Sequence, residues 1–155
     1  MRAGLFWTAC LLGSAQLACL PAVRRMAQTP SGRPEVDIAT TDLDAVKSQI
    51  VAHMQAMNYM LQDESKFRLQ FTKELEGDQA MWARLAIGNS YSTTPLAEVT
   101  FNLAAIRDAT HVVVFTAIST QMPFGQVNRS DMKGNNAWFN DFCFLLKSVK
   151  YAVEP

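Results

Sequence analysis

Few side chains in this sequence could do chemistry, and their spacing decides what that chemistry would be. Beyond residue 20 the chain carries one thiol, Cys143, and two imidazoles, His53 and His111. A thiol nucleophile needs a base within hydrogen-bond reach. Cys143 sits in FNDFCFLL, an apolar setting that raises a thiol's pKa and makes it inert. A packed core thiol is therefore expected, and a small hydrolase using Cys143 with His111 is the outside alternative. Glu98 and Asp108 fall on one strand-like run and the turn after it, a poor arrangement for a general acid/base pair. No Cys-x-x-Cys, His-Glu-x-x-His or Cys/His cluster is present, so no metal is expected. Gly125 and Gly134 are not followed by the Gly-Lys-Ser/Thr of a phosphate loop, and no Gly-x-Ser-x-Gly elbow occurs. The expected protein is non-enzymatic and needs no cofactor.

Two segments suggest binding instead. QMPFGQVNRSDMKGNN reads as a long polar loop. Met122 and Phe124 offer apolar contacts, and Arg129 and Lys133 offer charge for an acidic protein partner. The plainer role of Met122 and Phe124 is to cover a sheet edge. AWFNDFCFLLKSVKYAV reads as a helix, with Trp138, Phe142, Leu145 and Val149 on one stripe and Phe139 and Leu146 beside it. Trp138, Phe139 and Phe142 either pack the core or line a place for an apolar ligand, such as a fatty acid, between helix and sheet.

Charge separates the chain into two parts. Residues 1–34 hold Arg2, Arg24, Arg25 and Arg33 and no acid, while residues 35–155 hold 10 basic and 14 acidic residues. A mildly acidic domain has no general attraction for nucleic acid. Residues 3–20, AGLFWTACLLGSAQLACL, are uncharged and follow Arg2, the order of a secretory signal. A transmembrane helix needs about 20 strongly apolar residues, and this run is diluted by Gly4, Thr8, Gly13, Ser14 and Gln16. A signal peptide is the better reading.

Leu17, Ala18 and Cys19 resemble the lipobox of bacterial lipoprotein signal peptides, which ends in a leucine-like residue, a small residue and a cysteine. Gln16 departs from it, because Leu is usual there. The resemblance covers only the leader. It implies cleavage after residue 18, lipidation of Cys19 and a membrane anchor. Leu20 is not the Asp that would hold a lipoprotein at the inner membrane, so the expected address is the bacterial cell envelope, at the outer membrane or in the periplasm. Simple secretion is the alternative. A mitochondrial address fits less well, because transit peptides are amphipathic rather than continuously apolar.

Residues 19–40, rich in Pro, Ser, Thr and Gly, read as a flexible tether, and residues 41–155 as one domain. TTDLDAVKSQIVAHMQAMNY is a helix, with Thr41 as its cap and Asn58 as a left-handed stop. YMLQD fits a strand or a continued helix. KFRLQFTK, MWARLAIG, LAEVTFNLAAI and THVVVFTAISTQ alternate or are β-branched, as strands do. The expected fold is α+β: a two-layer sandwich of N-terminal helix, four- to five-stranded antiparallel meander and C-terminal helix. This order loosely resembles helix-grip domains, in which a curved sheet wraps a C-terminal helix. Such domains occur in envelope lipoproteins that assist outer-membrane assembly and in lipid-binding proteins. The resemblance implies architecture alone. The expected function is an exported, tethered, non-enzymatic module that binds an unknown envelope protein. A soluble carrier of an apolar ligand is the alternative.

Overall fold

A computed structural model describes residues 29–87, 93–122, 125–134 and 137–154. The element order is β1 (Glu35–Ile38), α1 (Leu43–Ala56), β2 (Met60–Glu64), β3 (Arg68–Glu74), α2 (Gly77–Ile87), β4 (Leu96–Ile106), β5 (Ala109–Gln121), β6 (Val127–Asp131) and α3 (Ala137–Val153). The strands form one antiparallel sheet in the order β1-β5-β4-β3-β2, with β6 also on β5. Strand β5 is long enough to take two partners along one side. β1 pairs with 110–113 and β6 with 117–121. Helices α1 and α3 lie side by side on one face, so the molecule is the expected two-layer α+β sandwich.

The alternation in β4 and β5 determines which face is dry. Ala97, Val99, Phe101 and Leu103 are buried, as are Val112 and Val114 opposite them. Helix α1 supplies Val46, Ile50 and Met54 at helical spacing, and α3 supplies Phe142, Leu145, Leu146 and Val149, the residues read from the sequence as its stripe and flank. Three rings lock the layers together. Phe101 meets Phe71 edge-on at 5.8 Å and Phe142 at 6.2 Å.

The C-terminal end of α1 is a Schellman motif. Asn58 adopts φ 62°, the amide of Asn58 donates to Gln55 O, and that of Tyr59 donates to Met54 O. Asn58 is therefore the left-handed stop expected. It turns the chain into β2, so residues 60–63 of YMLQD are strand and Tyr59 is the connection into it. The N-cap is Asp42 rather than Thr41, since the Asp42 carboxylate accepts from the Ala45 amide at 2.9 Å.

Three expectations are corrected. MWARLAIG is not a strand: its residues 81–87 are most of α2, and Gly88 lies outside the described residues. Its alternation was uninformative, because every residue there except Arg84 and Gly88 is apolar. Gln79, Ala80, Met81, Arg84, Leu85 and Ala86 are strong helix formers, and the small Ala80 and Ala83 let the helix lie close to Leu75 and Ala97. Second, the fold does not begin near Thr41. Val36 and Ile38 continue the core face in β1, and Ile38 is wholly buried. Upstream of β1, the Thr29 hydroxyl donates to Arg33 O. Third, residues 127–131 are an edge strand rather than loop, formed because the outer side of β5 still has free peptide groups there. Leader residues 1–28, Cys19 among them, lie outside the described residues.

Candidate functional site

The residues with chemical potential are dispersed. His53 uses Nδ1 on Gln49 O, one turn back in its own helix. His111 stands on the opposite, polar face of the sheet and meets Asp37 of β1 at 2.6 Å. Cys143 on α3 is half-buried, and burial pushes its thiol up, with Glu35 adding to that and Lys147 opposing. Among the described residues no group of three or more His, Cys, Asp and Glu side chains could hold a metal. No helix among them is long and apolar enough to cross a membrane.

The segment 122–133 does not present its side chains as one loop. Arg129 projects from β6 onto the polar sheet face, where its guanidinium lies 3.2 Å from the Glu98 carboxylate and 3.9 Å from that of Asp131. Glu98 also accepts from the Ser119 hydroxyl at 2.5 Å. Glu98 thus holds the sheet face together across β4, β5 and β6. The Met122 amide donates to Gln126 O and closes the hairpin. Lys133 is exposed just beyond β6, and Phe124 lies outside the described residues.

A cleft of about 380 Å³ opens where the end of α1, the end of β3, and the starts of α2 and α3 converge. Its apolar walls are Tyr59, Leu75, Trp138 and Phe142, and Met57 closes one side. Tyr59 reaches it because the Schellman motif throws this residue back against the core, edge-on to Phe142 at 6.4 Å. Trp138 and Phe142, expected as ligand lining, both face the cleft, whereas Phe139 is packed at 6% exposure and is not part of the wall. The space between sheet and α3 is filled by Phe71, Phe101, Phe142 and Leu146, each at most 2% exposed. The apolar surface open to a ligand is therefore at the end of the layers.

The polar groups of the cleft are Asn58, Lys73, Gln79 and Asp141. Lys73 is the unusual one. Along β3 and the residue that follows it the core-facing positions run Leu69, Phe71, Lys73, Leu75, and the other three are buried. A cation there needs compensation. The Lys73 ammonium donates to Met57 O at 2.9 Å, at the negative end of the α1 dipole, and lies 5.4 Å from the Tyr59 ring centre. An ammonium carries three donors. Among the described residues no carboxylate lies within ion-pair distance of it. Asp141 has no cation within that distance either. Burial, then the nearby Asp141 carboxylate, push the Tyr59 phenol up to about 12, so it stays a neutral donor at physiological pH. The sequence reading missed Lys73 and Tyr59. The signal for Lys73 was a charge in register with Leu69, Phe71 and Leu75.

No protein-family model matches this chain, and no curated protein is significantly similar to it. The cleft is accordingly interpreted from its own geometry.

Proposed function

We propose that this chain is an exported, membrane-tethered, non-enzymatic binding module of the bacterial cell envelope. The observation that carries the binding half is the cleft itself. Three aromatic rings and one lysine, without an ion-pair partner among the described residues, converge there. Such walls with a few placed polar groups suit recognition. The thiol and both imidazoles stand on other surfaces, each engaged or buried in its own surroundings. The address rests on the leader: an uncharged run after Arg2, closing on Leu17, Ala18 and Cys19. Cys19 would carry the lipid, and the residues that follow it, up to β1, would tether the head. Exposed Met81, Trp82 and Leu85 on α2 add an apolar surface for an envelope partner protein.

Mass spectrometry of the mature N-terminus, after expression in a bacterial host that processes lipoproteins, tests the anchor. The expected product begins at an acylated Cys19. An unmodified N-terminus beyond Cys19 overturns the tether and leaves a secreted carrier as the surviving reading.

A further inference from the structure

The cleft bears opposite charges at its rim, and among the described residues neither has an ion-pair partner. Lys73 uses one donor on Met57 O and has two left. Asp141 enters the same cleft from α3, close enough to the Tyr59 hydroxyl to raise its pKa. The two charged groups stand too far apart to pair with each other. The Trp138 ring lines the same cleft. A plain carboxylate would be drawn to Lys73 and repelled by Asp141, and a plain amine would meet the reverse. A ligand with both charges and a flat apolar body satisfies all three surfaces together. We infer that the cleft binds a small aromatic zwitterion, that is, an α-amino acid with a ring side chain. Its carboxylate sits on Lys73, its ammonium sits on Asp141 beside the Tyr59 hydroxyl, and its ring packs against Trp138. A volume of about 380 Å³ suits a molecule of that size. The inference rests on the reading of this domain as a binding module, and does not depend on the tether.

Titration calorimetry of the purified full chain with L-phenylalanine tests it. The expected result is saturable binding at one site with Kd below about 1 mM. Phenylacetate and phenethylamine each lack one charge and should bind at least about tenfold more weakly, the usual worth of a charge-assisted hydrogen bond. L-alanine lacks the ring and should not saturate. Lys73→Gln should weaken L-phenylalanine by about tenfold or more. Asp141→Asn, at an exposed position that the fold tolerates, should weaken L-phenylalanine to a similar degree but strengthen phenylacetate. That reversal keeps the test decisive even if the Lys73 variant unfolds. Absence of saturation by L-phenylalanine, equal binding of phenylacetate, or binding indifferent to Asp141→Asn each overturns the inference. None of these results bears on the N-terminus of the mature chain, so failure here and failure of the tether are separate outcomes.

Discussion

Tyr59 shows how much one side chain's surroundings control. It is placed by a backbone motif at the end of α1, walled by Phe142 and approached by Asp141 and Lys73. Its phenol is pushed up to about 12 in the folded protein from about 10 in an unfolded chain. Below pH 10 both states keep the proton, so the shift has no effect on stability there. Between pH 10 and 12 the unfolded chain loses its proton first, and stability falls as pH rises. Urea unfolding at pH 9 and pH 11 should therefore show a larger loss for the native sequence than for Tyr59→Phe. Equal losses would mean that the phenol is not held protonated by the cleft. Lys73 is the second residue of this kind. A sequence reader sees it as the polar end of KFRLQFTK, but two-residue spacing places it on the same face as Phe71 and Leu75. The residue types were visible, but their meeting was not, because Tyr59, Lys73 and Trp138 come from three elements whose approach depends on the tertiary fold. Trp138 and Phe142 could be anticipated, since a helical stripe identifies its own buried face.

Elements were legible where period and context agreed. Helix α1 repeats its apolar residues at helical spacing between an acidic start and Asn58, so stripe and stop coincide with the structure. Strand β4 alternates cleanly because one of its faces is dry, whereas β5 was legible from its β-branched run, its second half being buried on both faces at Thr116, Ala117, Ser119 and Thr120. Helix α2 defeated the pattern because every residue of 81–87 except Arg84 is apolar, and an apolar run satisfies either period. Edge strands β1 and β6 were hidden by Pro, Ser and Gly neighbours and by their own polar faces, as suits strands at a margin. The helical assignment of α2 makes a prediction that separates it from a strand. A strand would put Leu85 on the same face as Ala83 and bury both. In the helix Leu85 is 70% exposed while Ala83 is 3% exposed against the sheet. Leu85→Ser should therefore change unfolding free energy by no more than about 0.5 kcal/mol. Ala83→Leu should cost about 1–3 kcal/mol through overpacking. A loss above about 1.5 kcal/mol for Leu85→Ser, measured by denaturant unfolding, would contradict the helix.

At the scale of the molecule, the question is what closes the long side of β5. This strand is central to the sheet only because β1 and β6 share its outer side. β1 is the smaller contribution in sequence and the larger in connections. Ile38 is wholly buried, Asp37 meets His111, and Asp37 O accepts from Lys150 of α3. The Glu154 carboxylate accepts from the Ala39 amide, and the Thr110 hydroxyl donates to Thr40 O. Both ends of the described chain are thus fastened to the same corner, and the segment that first reads as linker is part of the fold's closure. Removing it would expose core surface under α3 and leave the first half of β5 with unpaired peptide groups, an invitation to edge-to-edge association. A chain starting at Thr29 should be folded, monomeric on size exclusion and cooperative in thermal melting. A chain starting at Thr41 should lose cooperative melting or elute as aggregates, since it forfeits the strand, Ile38 and the Lys150 contact together. If both melt alike, the fold begins after β1 and the strand is only an accessory to the sheet.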